Sequence, residues 1–143
     1  MGDISKNFSF SEFERSETAI ENGIENKIPS DDIRENITSL VENVLQPLRD
    51  SLGACIDVNS GYRCKKLNEL VGGTEKSQHP KGEAADIKSP FYSPLDIARR
   101  LFDKRLPYDQ MILYPTFVHV SHKKNGKQRG HILYNQSYKG EKI

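Results

Sequence analysis

The stretch Ser77-Gln78-His79-Pro80-Lys81-Gly82-Glu83-Ala84-Ala85-Asp86-Ile87 constrains the fold more than any other part of the chain. It holds a histidine and an aspartate seven positions apart, with Pro80 and Gly82 between them. Proline and glycine turn a chain, and Ala84 to Ile87 reads as the start of a buried strand. A loop running into a strand brings His79 and Asp86 to one point. A second histidine, His119, lies in Phe117-Val118-His119-Val120-Ser121, whose alternation is that of a half-buried strand. Two histidines and one carboxylate leave the fourth position of a tetrahedron open, which is the pattern of a catalytic zinc site. Spacing alone also fits a plainer arrangement, a surface-loop histidine, a solvated aspartate and a strand histidine.

The rest of the chain supplies a scaffold. Ser9 or Ser11 caps a helix beginning near Phe10, and Ser9 with Glu12 has the form of a capping box. Phe10, Phe13, Ala19 and Ile20 are its apolar side, and Asn22-Gly23 ends it. The longest helix opens at Ser30 or Asp31. Ile33, Ile37, Leu40, Val41, Val44, Leu45, Leu48 and Leu52 trace one stripe at helical spacing. Asp31, Asp32 and Glu35 suit the positive end of its dipole. Pro47 removes an internal hydrogen bond, so a kink or break is expected there, and Gly53 ends the helix. Residues 54–59 read as a strand. Lys65 to Val71 reads as a short helix with Leu67 and Leu70 inward, stopped by Gly72-Gly73. Another helix runs from about Ser93 to Lys104, with Pro94 in its first turn and Ile97, Ala98 and Leu101 inward.

Strands follow at 108–114 and 117–122, paired antiparallel, with an edge strand at 130–134. His119 and Ser121 share a strand face while His122 points away, which argues against His122 as a ligand. His131 reads as a surface histidine. The tail after Asn135 is polar and expected to be mobile. This order of elements predicts an α+β fold, a small, mostly antiparallel sheet covered by helices.

At 143 residues the chain is expected to form one domain, 1–143, and a hydrophobic fraction of 35% suits a soluble globular protein. Net charge is +1, but it is uneven: about −6 over residues 1–50, +2 over 51–121 and +5 over 122–143. The basic tail reads as a solvated face. Interleaved aromatic and basic residues of a nucleic-acid binder are missing, so no nucleic-acid partner is expected. No apolar run is long enough for a bilayer, and no basic-then-apolar leader opens the sequence. A monomer without a membrane partner is expected. Cys55 and Cys64 read as buried free thiols, since neither has a partner at metal-site spacing.

Ser60-Gly61-Tyr62-Arg63, Gly72-Gly73, Ser77-x-His79, Gly82-x-Ala84-x-Asp86 and Val118-His119-Val120-Ser121, in this order, resemble the zinc D-alanyl-D-alanine carboxypeptidase family. Its members include bacterial and phage cell-wall peptidases, and it shares a fold with the hedgehog signalling domain. The resemblance covers roughly the whole chain, including Asn7-Phe8-Ser9-Phe10-Ser11-Glu12-Phe13. It implies a hedgehog/DD-peptidase-like fold and one zinc ion held by His79, Asp86 and His119. It also implies hydrolysis of a peptide bond in peptidoglycan, of the D-Ala-D-Ala carboxypeptidase or endopeptidase type, with a stem peptide as partner. For Arg63 it implies a role in holding that peptide or polarising its carbonyl, and an arginine fork suits a carboxylate. Ser77 is a candidate for hydrogen-bonding a ligand or the substrate. With no leader in view, such a chain would stay cytoplasmic until released to the wall, as phage lysis enzymes are. A leader outside this sequence would be the other route.

The family commonly places a glutamate shortly before the last ligand. Here Tyr114, Pro115, Thr116, Phe117 and Val118 precede His119, and none is acidic. Between Asp86 and His119 the acidic residues are Asp96, Asp103 and Asp109, the first two on or beside an expected surface helix. Asp109 lies on the strand expected beside His119 and is the expected general base. In the alternative, Tyr114 takes the carboxylate's place and the chain is a zinc-bearing cell-wall-binding module with weak or no catalysis.

Overall fold

The computed structural model describes residues 2–143. Its centre is a five-stranded sheet in the order β1-β2-β4-β3-β5. The strands are β1 (Asp57–Ser60), β2 (Ala84–Lys88), β3 (Gln110–Leu113), β4 (Val118–Ser121) and β5 (His131–Tyr134). All neighbours pair antiparallel except β3 and β5, which are parallel. This is the mostly antiparallel α+β sheet that the sequence predicts. The expected strand at 54–59 begins later, and Cys55 precedes it with an exposed side chain. Cys55 is therefore no buried thiol, whereas Cys64 is partly buried against the core, and both are free.

One face of the sheet is covered by the long helical run. It comprises α3 (Asp31–Leu40), a π-turn (Val41–Leu45) and α4 (Gln46–Leu52). Ser30 caps it, its hydroxyl accepting from the Ile33 N–H at 3.4 Å. Gly53 closes it in the left-handed conformation at φ 64°. The predicted break at Pro47 takes a milder form. Pro47 has no N–H to return to the preceding turn, and the chain absorbs this by widening the turn just before it. The Gln46 N–H reaches back five residues to the Val41 carbonyl. The stripe therefore continues unbroken: Ile37, Leu40, Val41, Val44, Leu45 and Leu48 are all fully buried. Each such side chain contributes about 1.5–3 kcal/mol of transfer free energy. They pack on Val58, Ala85, Ile87, Met111, Leu113, Val118 and Val120 from the sheet. Helix α6 (Pro94–Asp103) completes the layer with Ile97, Ala98 and Leu101 inward as expected, and Ser93 caps it.

Three expectations differ. The single N-terminal helix is two short ones, α1 (Phe10–Glu14) and α2 (Glu17–Glu21), because Ser16 breaks the run and caps the second. Of the two leucines expected inward in α5 (Lys65–Leu70), Leu67 is buried but Leu70 is half exposed, and Asn68 turns inward instead. The tail is not loose. Tyr138 stacks on Tyr134, Glu141 pairs with Arg99 at 3.1 Å, and the Ile143 N–H donates to the Tyr134 hydroxyl. Among the described residues no helix is long and apolar enough to cross a membrane.

Candidate metal centre

Strand register builds the floor of the site. Asp86 of β2 sits directly opposite His119 of β4, with Ser60 of β1 on one side and Ile112 of β3 on the other. Directly opposed residues project from the same sheet face, which here is the face away from the helical layer. Alternation sends the neighbours Ala85, Ile87, Val118 and Val120 into the core. His79 arrives from a 3-10 turn (His79–Lys81) that runs into β2 through Gly82. Gly82 has φ +74°, and a Cβ there would lie 2.8 Å from the Ile33 carbonyl oxygen. Both conditions require glycine, and together they press the loop onto α3.

His79, Asp86 and His119 offer ligand atoms that all lie within 4.8 Å of one another. His79 Nε2 is 3.4 Å from Asp86 Oδ1, and His119 Nδ1 is 2.9 Å from the same oxygen. Ligand atoms about 2.0–2.1 Å from a tetrahedral zinc stand about 3.3 Å apart, so these separations fit one ion. The chemistry fits as well. The Nδ1–H of His79 donates to the Gly61 carbonyl at 2.7 Å, which selects the tautomer with a free Nε2 lone pair facing Asp86. Burial pushes the His79 pKa down, against the pull of Asp86, so the neutral ring persists below the ordinary histidine range. Burial alone would raise Asp86, but its pairing with the two histidines, the His119 hydrogen bond foremost, outweighs it and holds the carboxyl well below its ordinary value.

The N-terminal segment locks this arrangement. A Cβ on Gly61 would fall 2.5 Å from Phe13 Cδ2 and 2.8 Å from Phe13 Cα. The Tyr62 N–H donates to the Phe13 carbonyl at 2.8 Å. Buried Asn26 ties down the next residues, donating to the Tyr62 carbonyl and accepting from the Cys64 N–H. Arg63 between them is thereby aimed into the cleft. Its guanidinium donates to Ser60 Oγ at 3.0 Å, Asn68 Oδ1 at 3.3 Å and Asp86 Oδ2 at 3.3 Å. Among the described residues three of its five N–H groups have partners, and two remain for a bound molecule. Burial lowers the Arg63 pKa, opposed by Asp86 and Tyr114.

The cleft has a volume of about 420 Å³ and is lined by residues that include His79, Asp86, His119, Arg63, Ser77 and Tyr114. Ser77 accepts from the His79 backbone N–H at 3.3 Å, so it shapes the turn that carries the ligand. His122 turns away to Ser39 and Pro107, as the strand parity predicts, and His131 is exposed.

Asp109 is not brought to the ligands. It precedes β3 and falls, by alternation, with Met111 and Leu113, while Gln110 and Ile112 face the cleft. Its carboxylate is fully buried and takes Arg129 on both oxygens: Nη2 at 2.7 Å, Nε at 3.1 and 3.2 Å, and the backbone N–H at 2.8 Å. Gln78 donates to it at 3.3 Å. Burial would raise this carboxyl, but the Arg129 hydrogen bonds hold it down at about 2. Gln78, Gln110 and Arg129 line the cleft and were not expected from the sequence. Gln78 adjoins a ligand, which is a signal of position; Arg129 carries none.

The family model for peptidase M15 matches residues 6–121. The chain belongs to the peptidase M15 family. This is the zinc D-Ala-D-Ala carboxypeptidase-like family, as the motifs resemble. The match takes in every residue of the His79/Asp86/His119 cluster together with Phe13, Gly61 and Arg63. M15 peptidases are metal-dependent, and the cluster is a group that could hold the metal. No curated protein gives a significant match. Arg129 and β5 lie beyond the matched residues.

Proposed function

We propose that this M15 protein hydrolyses a peptide bond in the stem peptide of bacterial peptidoglycan, as a zinc-dependent D-Ala-D-Ala carboxypeptidase or endopeptidase. The observation that carries the reading is the convergence of His79, Asp86 and His119 beside Arg63 in one cleft. Zinc bound there supplies a Lewis acid that polarises a carbonyl and acidifies water. The chain's own residues do the positioning. Asp86 is held as a carboxylate, and the Gly61 carbonyl keeps the His79 ring oriented. Arg63 offers two N–H groups to the peptide carbonyl or carboxylate. Tyr114 lines the same cleft; burial and Asp86 raise its pKa, so it stays protonated and serves as a donor.

A second reading, a zinc-binding cell-wall module with weak catalysis, is favoured by one feature. Among the described residues lining the cleft, Asp86 is the only carboxylate, and it is committed to the histidines. Digestion of purified peptidoglycan with and without chelator, read by mass spectrometry, separates the two. Zinc-dependent release of D-alanine or a stem fragment supports the peptidase. Zinc-dependent binding to the wall without new amines supports the module.

A further inference from the structure

We propose that Arg129 captures a carboxylate of the bound peptide, and that Asp109 exists to aim it. The inference deepens the peptidase reading by naming the chemical group that the cleft selects.

Arg129 sits in the segment between β4 and β5 and lines the same cleft as the ligands. Its side chain is 43% exposed, while the carboxylate beneath it is completely covered. Asp109 engages Nε and Nη2 side by side, and Gln78 Oε1 lies 3.5 Å from Nη2. That fork fixes the guanidinium plane. Among the described residues, both N–H groups of Nη1 have no partner.

An ion pair with one fully buried member is a costly way to gain stability. It is an effective way to preorganise a planar donor at a cleft wall. The charge balance agrees: with Asp109 counted against Arg129 and Asp86 against Arg63, the cleft wall keeps one cation in surplus, Lys76. A second arginine-bound carboxylate suits a peptide bearing a free C-terminus or an acidic side group, and the same charge-assisted pairing serves both.

The test uses binding rather than turnover. The probe is the stem pentapeptide L-Ala-γ-D-Glu-L-Lys-D-Ala-D-Ala, compared with its C-terminal amide and with the form amidated at the D-glutamate α-carboxylate. Calorimetric titration of the full chain is expected to show one amide binding about 10- to 100-fold more weakly than the parent, the range for a charge-assisted pair. The amide that weakens binding identifies which carboxylate is read. Arg129→Gln is expected to bring that ratio close to one. Because Arg129→Gln strands Asp109, the paired variant Arg129→Gln/Asp109→Asn removes both charges and is expected to behave alike. Wild-type binding that ignores both amidations, or an unchanged ratio in the variants, overturns the proposal. Discrimination without any zinc-dependent cleavage leaves it standing and removes the peptidase reading instead.

Discussion

Replacing Asp109 by asparagine separates a general base from an anchor. Asparagine keeps one carbonyl oxygen for the Arg129 backbone N–H, but it sets an amide N–H₂ against the Nε and Nη2 donors. In the folded protein the carboxyl lies at about 2, against 3.8 ordinarily. That difference corresponds to roughly 2.5 kcal/mol of folding free energy. Arg129 is 43% exposed, and screening there reduces the expected loss to about 2 kcal/mol. For a chain of this size the melting temperature then falls by about 5–8 °C. The pH dependence has a definite sign. The folded pKa lies below the unfolded one, so the stabilisation is complete above about pH 4 and is lost as pH falls towards 2. Thermal unfolding followed by circular dichroism should show the full gap between wild type and Asp109→Asn at pH 7. The gap should be about halved near pH 3 and close below about pH 2. Zinc content should stay at the wild-type level. Equal melting temperatures at pH 7, with turnover reduced on the order of 10²–10⁴-fold, would refute this reasoning and make Asp109 the base.

Other outcomes follow from the site. His79→Ala, Asp86→Ala or His119→Ala should each abolish stoichiometric zinc binding, measured by elemental analysis after gel filtration, because each removes one of three convergent ligands. Gly61→Ala should cost about 1–3 kcal/mol in denaturant unfolding, since the new Cβ meets the Phe13 backbone and side chain. It should also weaken zinc binding by moving the carbonyl that orients His79; unchanged zinc affinity would separate the two effects. Arg63→Lys keeps the charge but cannot reach Ser60, Asn68 and Asp86 together. Binding or turnover of the stem peptide should fall, and unchanged kinetics would reduce Arg63 to a structural residue.

Local pattern determined the elements of this protein. The stripe from Ile33 to Leu52 can bury only as a helix, because no other backbone period aligns those residues. The capping serines Ser30 and Ser93 and the closing Gly53 follow from backbone groups left open at helix ends. The ligands were legible for a related reason. His79 and Asp86 flank one turn, and the alternation around His119 fixes its face relative to His122. Residues whose role depends on a distant partner were not legible. Asn26 meets Tyr62 and Cys64, Gln78 and Arg129 meet Asp109, and Asn68 meets Arg63; only packing brings them together. The same dependence explains Leu70, which a helical period alone turns inward while α5 has room inside only for Leu67 and Asn68. It explains the tail, which has no strong periodicity and is held by Tyr134 and Arg99. Asp109 shows the limit most sharply. Its sequence position beside a strand suggested a base near the metal, but strand parity and the unforeseen arrival of Arg129 turned its carboxylate into a buried anchor. Periodicity acts through adjacent backbone and can be read along the chain, whereas the pairing of buried charges is decided by which surfaces meet when the sheet and its loops close.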